Sequence, residues 1–104
     1  MAREYDKLVR DEIPSIIEAN GETPTTHEVD GEEYTERLVE KLDEEVAEYR
    51  ESRELDELAD VLEVVHAIRK DRGMTVEELA ERRERKAEER GRFDDGVVLD
   101  RVES

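Results

Sequence analysis

The chain contains no cysteine, which excludes disulfides, thiolate chemistry and cysteine-based zinc sites. Its two histidines, His27 and His66, are too few for a histidine-rich metal site. No apolar run approaches the roughly 20 residues of a membrane-spanning helix, and the N-terminus lacks the pattern of a secretory signal. A soluble, cytoplasmic protein is therefore expected. Apolar residues are scarce as well: 35% of the 104 residues are hydrophobic and 4% aromatic. That length sets one domain, residues 1–104, and that composition gives a single copy only a thin core. Such a chain is either partly disordered or finishes its core by oligomerising. Clear helical periods favour the second, as a homodimer or a dimer of dimers.

Charge is abundant and one-sided. The 33 acidic residues against 17 basic ones leave a formal net charge of -16. That opposes binding to nucleic acid or to an anionic membrane, since phosphate affinity needs local positive charge. The acids are spread along the whole chain, and 13 of the basic residues are Arg against 4 Lys. This pattern resembles adaptation to a salt-saturated cytoplasm, where self-repulsion is screened over about 3 Å at 1 M salt. General adaptation accounts for most of the carboxylates, so functional ones have to be found by position.

The organisation is mainly α, a bundle of about four helices. Pro14 suits the first turn of a helix over residues 12–19, ended by Asn20-Gly21. Residues 22–29 read as extended and Asp30-Gly31 as a turn. A long helix covers residues 32–51, with Leu38, Leu42, Val46 and Tyr49 on one face. After a break at Ser52, a second runs from 54 to 72 and stops at Gly73. Thr75 and Glu78 form a capping box that opens a helix to about Arg90, closed by Gly91. Val97-Val98-Leu99 is β-prone and is expected to pair with residues 25–29 as a small two-stranded patch.

Four acids stand out on the helical wheels. Glu45 lies between Leu38 and Tyr49, inside the apolar stripe of the first long helix, with Glu48 one i,i+3 step away at its margin. Glu44 and Glu51 point away from that stripe. In the second long helix, Leu55, Leu58, Val61, Leu62, Val64, Val65 and Ile68 form an arc wide enough to be covered on two sides. Glu57 is in register with Val61, Val64 and Ile68, and Asp60 follows one i,i+3 step later. Glu63 faces outward. Burying unpaired carboxylates costs several kcal/mol as an order of magnitude, and two remedies exist. One is neutralisation by Arg or Lys, with the Arg residues of the last helix as candidates. The other is a divalent cation, and ligands that are all oxygen suit the hard ions Mg²⁺ or Mn²⁺.

The sequence Glu44-Glu45-x-x-Glu48 followed by Glu57-x-x-Asp60 resembles the EExxE…ExxD metal motif of the MazG-like, all-α nucleoside triphosphate pyrophosphohydrolases. Lys7-Leu8-Val9-Arg10-Asp11-x-Ile13-Pro14, the stretch from Glu57 to Val64, and the ending from Lys86 to Phe93 are similar to its small house-cleaning, phosphoribosyl-ATP pyrophosphohydrolase-like branch. The resemblance covers nearly the whole chain. It implies a dimeric helical bundle that cleaves a nucleoside triphosphate between the α- and β-phosphates, giving NMP and pyrophosphate. It implies metal ligation by Glu45, Glu48, Glu57 and Asp60, with Glu44 matching the first acid of the motif. One departure is the gap of residues 49–56, shorter than in the larger MazG enzymes.

Metal-assisted hydrolysis of a triphosphate needs an activated water, with Glu44 or Glu48 as the candidate proton acceptor. It also needs protein cations. Lys7 and Arg10 form one basic pair, and Lys86 and Arg90 continue the line of Leu79 and Arg83 on the last helix. His66 is expected to be a hydrogen-bonded core residue and Phe93 to cover the end of the bundle. Phosphoribosyl-ATP pyrophosphatase shares the same metal logic and is the enzymatic alternative. A non-catalytic acidic helical interaction protein is the other.

Overall fold

Helix formation here follows local signals closely. A computed structural model describes residues 2–104 and contains four helices: α1 (Ile13–Ala19), α2 (Gly31–Ser52), α3 (Leu55–Asp71) and α4 (Val76–Arg90). Pro14 sits in the first turn of α1. The capping box of α4 is complete: Glu78 N–H donates to Thr75 Oγ1 at 3.1 Å and Thr75 N–H to the Glu78 side chain at 3.3 Å. Among the described residues there is no strand. The expected patch between residues 25–29 and Val97–Leu99 does not form, and residues 92–104 are exposed throughout. An isolated two-stranded ribbon is marginal in water, and no third element covers this one.

The two long helices make the framework. Arg53, at φ 60°, ends α2 in the left-handed conformation, and its N–H donates to Tyr49 O. Only Arg53 and Glu54 separate α2 from α3, so the pair folds back as an antiparallel hairpin. Thr35 Oγ1, near the start of α2, donates to Asp71 Oδ2 at the end of α3 at 2.7 Å. The core lies between these helices, where Leu38 (2% exposed) and Val64 (8%) are the buried hydrophobic residues among those described. α4 touches α3 only lightly and α2 not at all.

Much apolar surface remains uncovered. Val39, Val46, Leu55, Leu58, Leu62 and Val76 are all exposed. The radius of gyration is 18.3 Å and the long axis 61 Å, whereas a compact globule of about 100 residues has a radius near 13 Å. Phe93 is 99% exposed and covers nothing, contrary to the expectation; of the residues after Gly91, Arg92 reaches back to Glu84 of α4 at 2.7 Å, and all of them stay exposed. No helix is long and apolar enough to cross a membrane.

Candidate metal centre

The hairpin turns its acids toward one another. Glu45 on α2 and Glu57 and Asp60 on α3 each present a carboxylate oxygen, and these atoms lie within 4.8 Å of one another. A divalent cation bound at about 2.1–2.6 Å needs ligand oxygens roughly 3–5 Å apart, so the spacing fits one. Glu45 is the anomaly the wheel points to: it is only 7% exposed. Its Oε1 is ion-paired with Lys41 Nζ at 3.2 Å. Its Oε2 is buried and has no hydrogen-bond partner. An unpaired buried carboxylate oxygen is a costly arrangement, and a bound cation would relieve it. The cluster can hold a metal ion.

Electrostatics reflect the crowding. Burial pushes the Glu45 carboxyl above its ordinary range; Lys41 pulls against this and Glu48 adds to it. Burial likewise raises Glu57, followed by the charges of Glu48, Asp60 and Glu45. Glu48 is exposed and stands outside the three-oxygen group, close enough to act on both neighbours through its charge.

Glu44 is not the outward-facing acid the wheel suggests. It is half-buried, with Oε1 accepting from Lys7 Nζ at 2.8 Å and Oε2 from Lys41 Nζ at 3.1 Å. Burial pushes its carboxyl up, but those two hydrogen bonds outweigh it and hold the group below the usual carboxylate range. The bond from Glu44 in turn raises the Lys7 ammonium.

The basic residues divide into two groups. Lys7 and Arg10 reach the acids from the irregular segment before α1: Arg10 Nη2 lies 2.8 Å from Asp60 Oδ1. Arg37 ties that segment down, donating to the Asp6 carbonyl at 2.9 Å and to its carboxylate at 3.0 Å. Lys86 and Arg90, by contrast, are exposed on α4 and enter no ion pair among the described residues. α4 therefore does not neutralise the cluster; Lys7, Arg10 and Lys41 do. His66 is half-buried and its Nδ1 accepts from Arg69 at 3.2 Å, a structural contact at the α3–α4 turn, where Arg69 also donates to Met74 O at 2.6 Å.

Lys41 is not among the residues the sequence reading singles out. It lies three residues after Leu38 and four before Glu45, inside the stripe, where a cation is as misplaced as a carboxylate. That position was the available signal.

No protein-family model matches the chain, and no solved structure matches it. A protein of Mycolicibacterium smegmatis (strain ATCC 700084 / mc(2)155), described as uncharacterized, is 52% identical over 44 residues. The match covers 42% of this chain and 45% of that relative, so the chain spans less than half the length of the protein it resembles.

Proposed function

We propose that the chain is a Mg²⁺-dependent nucleoside triphosphate pyrophosphohydrolase, adding water across the α–β phosphate bond to give NMP and pyrophosphate. One observation carries the reading: Glu45 keeps a buried oxygen without a partner, and its carboxylate lies within reach of those of Glu57 and Asp60. The motif resemblance supplies the reaction class. Mn²⁺ is the natural substitute ion, since both take all-oxygen sites.

Glu45, Glu57 and Asp60 would hold the cation directly, with Glu48, the fourth acid of the motif, beside them. A divalent ion bound there supplies phosphate neutralisation and a water of lowered pKa. Glu48 is the better proton acceptor of the two candidates. It is exposed and beside the cluster, whereas both Glu44 oxygens are occupied by ammonium groups. Lys7 and Arg10 are exposed and mounted on a non-helical segment. A cation competing for Asp60 frees the Arg10 guanidinium for phosphate oxygens, which it grips in two-pronged fashion.

The active form in this reading is a homodimer or a dimer of dimers. Its support is the uncovered apolar surface of α2 and α3 together with the extended shape. Lys86 and Arg90 remain substrate-contact candidates through such an assembly. The ion pairs around the cluster favour one competing reading, a non-catalytic module whose acids are neutralised internally.

Pyrophosphate release decides between them. With Mg²⁺, at low and at high salt, the wild type is expected to release pyrophosphate from at least one member of a panel of canonical and damaged nucleotides and phosphoribosyl-ATP. Glu57→Ala is expected to fall to background. No release from any of them contradicts the enzymatic reading, and selective release from phosphoribosyl-ATP assigns the biosynthetic alternative.

A further inference from the structure

We propose that Lys41 is a positioning residue of the acid cluster: its ammonium fixes Glu45 Oε1 and Glu44 Oε2, leaving Glu45 Oε2 as the oxygen offered to a cation. The inference rests on the metal-site reading above and adds to it a residue that the EExxE…ExxD pattern does not contain.

The geometry separates Lys41 from the other two cations. Its side chain is 14% exposed, against 40% for Lys7 and 55% for Arg10. Lys7 and Arg10 come from a segment without helix and can leave the acids by a backbone movement. Lys41 is on α2 itself, paired at i,i+3 and i,i+4, so its backbone moves only with the helix that carries its partners. Helix support alone does not account for it. A Lys placed four residues before a Glu is the poorer orientation of that pair, and its ammonium is withdrawn from water to make it.

The contact is also asymmetric in a useful way. Lys41 engages one oxygen of Glu45 at 3.2 Å while the other has no partner. A carboxylate free at both ends turns about its last torsion, which is broad for Glu. Holding one oxygen fixes where the second points. Partners behind metal ligands act in this way, and their loss typically costs about 10–100-fold in metal affinity.

Charge and placement predict opposite signs, which makes the proposal testable. As a charge, Lys41 repels a cation, so its removal would tighten metal binding. As a positioning group, its removal weakens it. The probe is Mn²⁺ alone, titrated by electron paramagnetic resonance into the full chain, with helical circular dichroism recorded on each variant. Lys41→Met is expected to keep the helical signal and to bind Mn²⁺ about 10–100-fold more weakly than the wild type. Lys41→Arg keeps the charge but displaces the donors. Placement predicts weaker binding for it, and charge alone predicts no change, so it carries the test if Lys41→Met loses its helical signal. Wild-type affinity or tighter binding in the informative variant overturns the proposal and leaves the metal site standing. Failure of the wild-type chain to bind Mn²⁺ overturns both.

Discussion

Replacing Glu45 by Gln is a substitution for which the structure predicts an unusual pair of effects. At neutral pH the wild-type carboxylate leaves one buried oxygen unpaired, a defect worth about 1–3 kcal/mol. Gln keeps an acceptor for Lys41 and turns an N–H₂ donor toward Glu48, Glu57 and Asp60, where the wild type has mutual repulsion. Against this stands a weaker pair with Lys41, which keeps the amide oxygen as a neutral acceptor and Glu44 as an ionised one; exchanging a charged acceptor for a neutral one costs about 1 kcal/mol. The balance is a gain of about 1 kcal/mol, or roughly 4–8 °C in Tm for a domain near this size. The same variant should lose most of the stabilisation conferred by Mg²⁺, which for the wild type at about a hundred times Kd is about 2.7 kcal/mol. Thermal unfolding followed by circular dichroism, in EDTA and then in excess Mg²⁺, reads both effects. Stability given up for binding is the signature of a functional site. A Glu45→Gln chain less stable than wild type in EDTA, with an undiminished response to Mg²⁺, would refute the reasoning.

Three further expectations concern the same cluster and the surface around it. Glu45 and Glu57 have raised folded-state pKa values, so their contribution to stability is full below the unfolded value of 4.5 and is lost as pH rises through the folded values. Glu44 runs the other way, stabilising above 4.5 and ceasing to do so as pH falls through its lowered value. Mn²⁺ binding just above pH 4.5 should accordingly release protons, measured in weak buffer, with none released at pH 8; equal release at both would contradict this. Arg10→Ala removes the competitor for Asp60 and should tighten Mn²⁺ binding by up to about fivefold while raising KM for the nucleotide, with weaker metal binding as the contrary result. Leu62→Glu places a charge on the exposed face of α3 and should convert an oligomer to a helical monomer in sedimentation; an unchanged mass contradicts the proposed interface.

How far the sequence discloses this arrangement depends on the kind of contact involved. Helix ends were readable because their signals are local: Pro14, the Thr75–Glu78 box and Gly91 each act within one turn. Glu45 and Glu57 were readable because an acid inside an apolar stripe is anomalous on one wheel, whatever the helix packs against. Glu44 departs from its place on the wheel for the converse reason. Beside the local Lys41, its partner is Lys7, 37 residues away along a segment with no periodicity to constrain its path. The failed strand pairing and the exposed Phe93 share another cause. Both expectations supplied a covering partner to the residues after Gly91, and local propensity says nothing of whether a partner exists.

A crystal of the chain grown with Mn²⁺ and measured at the manganese absorption edge tests the central claim most directly. One or more anomalous peaks are expected, bounded by carboxylate oxygens of Glu45, Glu57 and Asp60, with Glu45 Oε2 among the ligands and Arg10 withdrawn from Asp60. A peak only at other acids, such as the exposed Glu32, Glu33, Glu36 and Glu40 along α2, or no bound manganese at all, would contradict it.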